Sequence, residues 1–308
     1  MKLICDLDDL PQDLRGGSVT IGNFDGVHCG HARIIERLCA RATEVGGPSV
    51  VFTFDPHPVR LLRPDVAPPP LTWTKRKAAL LAELGVDAMI AYPTDEALLS
   101  LSPRDFFDEV VCRRLQSRAI VEGPNFFFGH NRAGNISMLE TYCLAEHLTL
   151  EIVLPVKEGD DYISSSRVRQ AIAAGDIDWA SNALTEPYRI RGMVTHGSAR
   201  GSRIGFPTAN LDAVDTLIPG TGVYAGQAYW NARPWPAAIH IGPNPTFGED
   251  VRKVEVHLIG FNGNLYGEAL EVDFVARIRD VRPFKSVDAL IAQLNRDVAE
   301  AKERLGAP

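Results

Sequence analysis

The apolar positions of the chain change their period once. Up to about Leu184, short apolar runs alternate with stretches in which apolar residues recur every three or four positions, the spacing of one helix face. Ser18 to Gly22 (SVTIG) and Ser49 to Phe54 (SVVFTF) read as buried strands. Between them Ile34, Ile35, Leu38, Ala42 and Val45 keep helical spacing until Gly46-Gly47 stops the helix. Further strands are predicted at 88–92, 119–122 and 151–156, separated by helical stretches near 75–84, 103–115 and 136–146. A strand, a helix and a strand joined by short loops make a right-handed parallel crossover, so the first half predicts an α/β, doubly wound parallel sheet. Ligands of such sheets lie beyond the carboxyl ends of the strands.

After Leu184 the period becomes two. Strands are predicted at 189–195, 223–230, 236–241, 254–258 and 270–276, joined by turn-rich loops such as Asn262-Gly263-Asn264, with no helix between them. Val287, Leu290, Ile291, Leu294, Val298 and Ala301 then fall on one helix face, which should pack on the sheet. The expected architecture is a small closed or half-closed antiparallel β-barrel with a terminal helix. The change of period divides the chain into domains at 1–182 and 183–308.

Composition agrees with two cores: 308 residues are enough for about two domains, and 45% are hydrophobic against 23% charged. A net charge of −7, from 39 acidic and 32 basic residues, provides no general positive field. Nucleic acid and an anionic membrane are therefore not expected partners, and an anionic ligand must be held locally. The opening MKLICDLDDLPQDL has neither the basic nor the apolar region of a signal peptide, and no run approaches a membrane span. Cys5, Cys29, Cys39, Cys112 and Cys143 form no CxxC pair, which suits reduced thiols and a cytoplasmic location. The sequence leaves a homo-oligomer open.

Two segments carry chemistry. The first, Gly22-Asn23-Phe24-Asp25-Gly26-Val27-His28-Cys29-Gly30-His31, leads from a strand into a helix. A glycine-rich turn at a helix N-terminus offers N–H groups and a positive dipole end to phosphates, and two histidines three apart add donors on one side. A metal pair and two solvated histidines are the alternatives, the former lacking a third ligand nearby. The second segment runs from His196 through Gly205, Pro207 and Thr208 to Asn210. On extended chain Thr208 and Asn210 share a face and present a hydroxyl and an amide oxygen to one hard cation. Its glycines let backbone approach phosphates.

TIGNFDGVHCGH, then Thr53-Phe-Asp-Pro-His-Pro58, Asn125-Phe-Phe-Phe-Gly129 and Ile163-Ser-Ser-Ser-Arg-Val-Arg169, together resemble the adenylyltransferase half of the bacterial bifunctional riboflavin kinase and FMN adenylyltransferase (FAD synthetase) family. The resemblance implies a nucleotidyltransferase-like fold. It implies that His28, His31, Ser164, Ser165 and Arg169 bind ATP phosphates, with Gly22, Asn23, Phe24, Asp25 and Gly26 completing the nucleotide site. Pro56, Pro58, Asn125 and Phe128 match positions near the flavin, although the two prolines could simply end a strand and Phe128 could be core. The segment from His196 to Asn210, with Gly222-Val-Tyr-Ala225, Ile241-Gly-Pro-Asn-Pro-Thr-Phe247, Val254-Glu-Val-His257 and Leu265-Tyr-Gly267, resembles the riboflavin kinase module of the same family. It implies that His196, Gly205, Pro207, Thr208 and Asn210 hold ATP, that Thr208 and Asn210 hold Mg2+, and that Glu255 is the general base, where a lone strand glutamate would otherwise read as solvent-facing.

The implied chemistry converts riboflavin to FMN and FMN to FAD, each with ATP, and uses no protein nucleophile. Ser202-Arg203, Asn244, Gly260, Val281 and Pro283 depart from the family pattern. Two rival readings are an adenylyl- or cytidylyltransferase for another small phosphate, which leaves the second half unexplained, and a flavin-binding regulatory protein with silent sites.

Overall fold

The computed structural model describes residues 1–8, 10–197, 200–244 and 249–306, with the side chains of residues 200, 244, 249 and 250 outside that description. The chain divides into two compact units, Met1–Pro68 with Trp73–Ser164 and Pro69–Thr72 with Ser165–Pro308.

In the first unit β1 (Lys2–Ile4), β2 (Ser18–Ile21), β3 (Ser49–Asp55), β4 (Ala88–Pro93), β5 (Ala119–Glu122) and β6 (Thr149–Ile152) form one sheet. Its order is β1-β4-β3-β2-β5-β6 and every pairing is parallel. The helices are α1 (Cys29–Val45), α2 (Pro58–Leu62), α3 (Thr74–Glu83), α4 (Glu96–Ser100), α5 (Pro103–Phe106) and α6 (Ile136–Ala145). Alternate strand residues feed two separate cores. Val51, Met89 and Val121 join Ile35 and Leu38 of α1, whereas Val50, Phe52, Ile90 and Ile120 join Phe106 and Phe107. This is the doubly wound arrangement the sequence predicts, with both faces covered.

Details differ. The strand expected at 151–156 lies at Thr149–Ile152, because its ladder with β5 ends at Glu122↔Ile152 and Leu154 beyond it is 74% exposed. The helix expected at 103–115 changes from α5 to π-helical turns at Phe107–Arg114. β1 and the small hairpin of β7 (Lys157–Glu158) and β8 (Asp161–Tyr162) are too short to show a period.

The second unit contains α7 (Ser165–Ala174), α8 (Ile177–Ala183), β9 (Tyr188–Thr195), α9 (Arg200–Arg203), β10 (Ala209–Asp212), β11 (Gly222–Trp230), β12 (Arg233–Asn244), β13 (Glu249–Leu258), β14 (Ala269–Arg279) and α10 (Val287–Arg304). The strands close into an antiparallel barrel in the order β10-β13-β12-β11-β14-β9. Closure removes every exposed edge. The single turn α9 interrupts the all-strand stretch that the period predicts. α10 packs on β11, β12 and β14, yet Val287 is 47% exposed and the polar Gln293 and Asp297 are buried. Arg279 binds Asp297 and Arg282 binds Gln293, so a polar seam replaces part of the expected apolar face. Residues 165–182, grouped by sequence with the first half, cluster with the barrel, where α8 packs against β9 and β14.

Candidate active sites

β2 and β5 are neighbours whose following strands, β3 and β6, lie on opposite sides, which makes their carboxyl ends the switch point of the sheet. Their backbone pairing stops at Val19↔Ile120. Past that point Glu122 Oε1 accepts the Ile21 N–H at 2.6 Å and the Thr20 hydroxyl at 3.5 Å. Burial pushes the Glu122 pKa well above the usual carboxylate range. Sequence reasoning passed over this glutamate because it ends an otherwise apolar strand.

The glycine-rich turn springs from this crevice. Phe24 (φ 45), Gly26 (φ 87) and Val27 (φ 42) all have left-handed backbone, which is costly for a β-branched valine and marks a conformation the surroundings enforce. His28 caps α1, its Nδ1 accepting the His31 N–H at 3.2 Å. That bond leaves the proton of the neutral ring on Nε2, free to donate. The two imidazoles stack with centroids 3.6 Å apart and planes 12° apart. Gly30 leaves room beside them, since a Cβ there would lie 3.1 Å from the His28 ring, tighter than an ordinary contact. Burial draws the His28 pKa down to about 4, and burial, then His28 and Lys77, draw His31 well below the ordinary value. Both rings are thus uncharged donors near pH 7. His28 is 6% exposed, and His31, half-buried, has its Nδ1 shut off from solvent, so neither is a freely solvated histidine. Its Nδ1 is engaged, and among the described residues no three His, Cys, Asp or Glu gather to hold a metal.

Asn23 Oδ1 and His31 Nδ1 are buried without a protein partner. Lys77 on α3, unnoticed in the sequence, reaches the turn with Nζ 2.6 Å from the Asn23 carbonyl and 3.4 Å from Thr53 Oγ1. Asp25 is buried, and Gly22 stands at the end of β2. Pro56 is exposed at the end of β3, Pro58 begins α2, and Asn125 is exposed. Phe128 is buried in the core and stacks on Phe126, with centroids 5.3 Å apart. Burial raises the Cys29 thiol pKa, the opposite of an activated nucleophile. Ser164 closes the first unit. Ser165 opens α7 in the second, where Arg169 Nε donates to the Pro69 carbonyl at 3.0 Å.

On the barrel, Asn210 of β10 stands opposite Glu255 of β13, which stands opposite His240 of β12. Their neighbours Ala209, Leu211, Val254, Val256, Ile239 and Ile241 are buried, so the three polar residues occupy the other face. Thr208, two before Asn210 and likewise half-buried, shares that face. A Cβ at Gly197 would lie 2.2 Å from Asn210 Nδ2, and one at Gly201 would lie 3.6 Å from Thr208 Oγ1. Bare backbone therefore cradles both side chains. A hydroxyl and a carboxamide oxygen fit a magnesium ion that arrives with nucleotide phosphates and keeps much of its own shell.

His196 is exposed and stacks on Tyr266 at 3.9 Å, Gly205 has φ 90, and His257 Nδ1 lies 2.7 Å from the Pro207 carbonyl. His240, absent from the sequence reading, lies with Nε2 3.1 Å from the Pro243 carbonyl; burial lowers its pKa while Glu255 opposes the shift. Gly260, where the family pattern favours an acidic residue, has φ 79, which favours glycine. Ser202 and Pro283 are exposed, and Val281 Cγ2 would lie 3.4 Å from a Cβ at Gly242. Ser198, Ala199, Pro245, Thr246 and Phe247, and the side chain of Asn244, lie outside the described residues.

The FAD synthetase family model matches residues 10–167 and the riboflavin kinase family model residues 184–305. A bifunctional riboflavin kinase/FMN adenylyltransferase of Pseudomonas fluorescens is 38% identical, covering 100% of this chain and 99% of that protein. The protein of the same description from Escherichia coli is 35% identical, covering 99% and 98%. A Streptococcus pneumoniae chain whose crystal structure was described as a macrolide-efflux protein superposes with TM-score 0.86 and 30% identity, covering 97% and 98%. No described helix is long and apolar enough to cross a membrane.

Proposed function

The chain belongs to the family of bifunctional riboflavin kinases and FMN adenylyltransferases, and from that premise we propose which of its residues carry each reaction. The protein phosphorylates riboflavin to FMN and adenylylates FMN to FAD, using one ATP for each step. Residues 1–182 carry adenylyl transfer and residues 183–308 carry phosphorylation.

In adenylyl transfer an FMN phosphate oxygen attacks the α-phosphorus of ATP, the bond to the β-phosphate oxygen breaks, and pyrophosphate leaves. No protein group becomes bonded to phosphorus, so rate comes from positioning and from donors fixed in advance. His28 Nε2–H and His31 are such donors, held by stacking and by the cap of α1. Ser164, with Ser165 and Arg169 assigned by motif alone, binds phosphate as well. Pro56, Pro58 and Asn125 line the flavin side, whereas Phe128 belongs to the core.

In phosphorylation Glu255 accepts the ribityl 5′-hydroxyl proton as that oxygen attacks the γ-phosphorus and ADP leaves. Thr208 and Asn210 would hold magnesium, which when bound neutralises phosphate charge. His196, Gly205 and Pro207 shape the nucleotide side.

The observation that carries the assignment is Asn210 opposite Glu255, a carboxamide beside a carboxylate on one face of the barrel. Incubation with riboflavin, ATP and magnesium followed by flavin separation tests it. FMN and FAD are both expected; FMN alone would silence the first site, and unchanged riboflavin would make the chain a flavin-binding regulator. A net charge of −7 suits small-molecule substrates in a cytoplasm rather than nucleic acid.

A further inference from the structure

Lys77 is 9% exposed, a rare position for a lysine without a bonded carboxylate. Its Nζ donates to the Asn23 carbonyl at 2.6 Å and lies 3.4 Å from Thr53 Oγ1, while the Thr53 hydroxyl itself donates to the Asn23 carbonyl at 3.2 Å. Two of the three ammonium N–H bonds are thereby placed. The third has no protein acceptor among the described residues. The neighbouring Asn23 Oδ1 and His31 Nδ1 are also buried without partners. Burial lowers the Lys77 pKa, and Asp25 and Asp55 oppose that shift.

Burying an ammonium is costly unless charge or hydrogen bonds compensate. Anchoring one carbonyl is a task that a neutral amide could perform. What the turn lacks is positive charge, because both imidazoles are uncharged near pH 7 whereas the reaction develops negative charge on the departing phosphates. We propose that Lys77 belongs to the adenylyl-transfer site, where its ammonium fixes the Asn23 carbonyl and gives its remaining N–H to a phosphate oxygen of the bound nucleotide. This rests on reading the His28–His31 turn as that site.

The test uses the full chain with FMN and ATP, and follows FAD formation, inhibition by inorganic pyrophosphate and thermal melting, with riboflavin phosphorylation as an internal control. Lys77→Met should lower kcat/KM for FAD formation roughly 10²- to 10³-fold, the usual loss for one preorganised donor. Pyrophosphate inhibition should weaken more than tenfold and FMN formation should stay unchanged. Lys77→Gln keeps an N–H for the Asn23 carbonyl but no charge and should remain low, whereas Lys77→Arg should recover part of both losses. If Lys77→Gln matches the native protein, Lys77 is a structural anchor and the proposal falls. It falls equally if Lys77→Met stays within threefold of native while His28→Ala is inactive. If His28→Ala is itself fully active, the site reading fails first. Should Lys77→Met lose its cooperative melt, the 15N side-chain resonance of Lys77 in the native protein decides, since pyrophosphate must shift it and an unmoved resonance overturns the proposal.

Discussion

Asn210 and Glu255 face each other across the antiparallel strands β10 and β13, and His240 on β12 faces Glu255 from the opposite side. Residues directly opposite in such a ladder have Cβ atoms about 4.5 to 5.5 Å apart. The barrel register, not a loop, therefore sets the distance from the proposed base to its amide neighbour. A slip of one residue would turn Glu255 into a core filled by Val254 and Val256 and bring a valine into the polar row.

Glu255→Gln keeps size and much of the hydrogen bonding but cannot accept a proton. FMN formation should fall roughly 10²- to 10⁴-fold, while supplied FMN is still converted to FAD at close to the native rate. Flavin chromatography from both starting points measures the split, and loss of neither activity removes Glu255 as base.

Asn210→Leu retains bulk but removes the oxygen offered to a hard cation. ATP-dependent FMN formation should weaken even at saturating magnesium. Full activity in a magnesium titration would take Asn210 out of the site.

The two cores and the barrel were legible because their strands alternate or run apolar for four or more residues. The turn proposed to bind nucleotide stood out because few sequences place His-x-Gly-His between a strand and a helix. Lys77, Glu122 and His240 did not, for one physical reason. Each takes its place through contacts made only in the fold: Lys77 with Asn23 and Glu122 with Ile21 are far apart in the chain, and His240 meets Glu255 across a strand pair. Local pattern carries no trace of such pairs. α10 misled for a related reason, since Arg279 from β14 makes Asp297 a buried residue on a face expected to be apolar.

His28→Ala and His31→Ala should each remove FAD formation by roughly 10² to 10³ and let FMN accumulate. Unaltered FAD output from both would end the reading of the turn.

The same histidines set a pH dependence of stability. His28 titrates at about 4 in the folded protein against 6.5 ordinarily, so between those values the unfolded chain binds more protons. Stability present above pH 6.5 should therefore be lost as pH falls toward 4, by about 3 kcal/mol for this group. Glu122 works in the opposite sense, because a raised carboxyl pKa removes stability as pH rises above the ordinary carboxylate range. Urea titrations of native protein and His28→Ala should show a stability gap that narrows on acidification. A gap constant from pH 7.5 to 4.5 would mean that His28 is not held neutral by burial.

The two units should separate, and where the cut falls decides how well the barrel survives. The change of period places the boundary at 182, yet α7 and α8 belong to the compact unit of the barrel. Gly220 N–H donates to the Ile172 carbonyl at 2.9 Å, Arg277 Nη1 to the Ala174 carbonyl at 3.5 Å, and a Cβ at Gly175 would lie 2.6 Å from Tyr224 Oη. Val168, Ile172, Ile177 and Ala180 are buried. Two isoleucines alone represent roughly 3 to 6 kcal/mol of apolar burial, so a fragment beginning at Asn182 should melt roughly 10 °C below one beginning at Ser165. Both should phosphorylate riboflavin at low temperature, since Thr208, Asn210 and Glu255 lie within each. Equal melting temperatures in calorimetry would show that α7 and α8 do not stabilise the barrel, and a folded 165–308 fragment without kinase activity would place part of that site in the first unit.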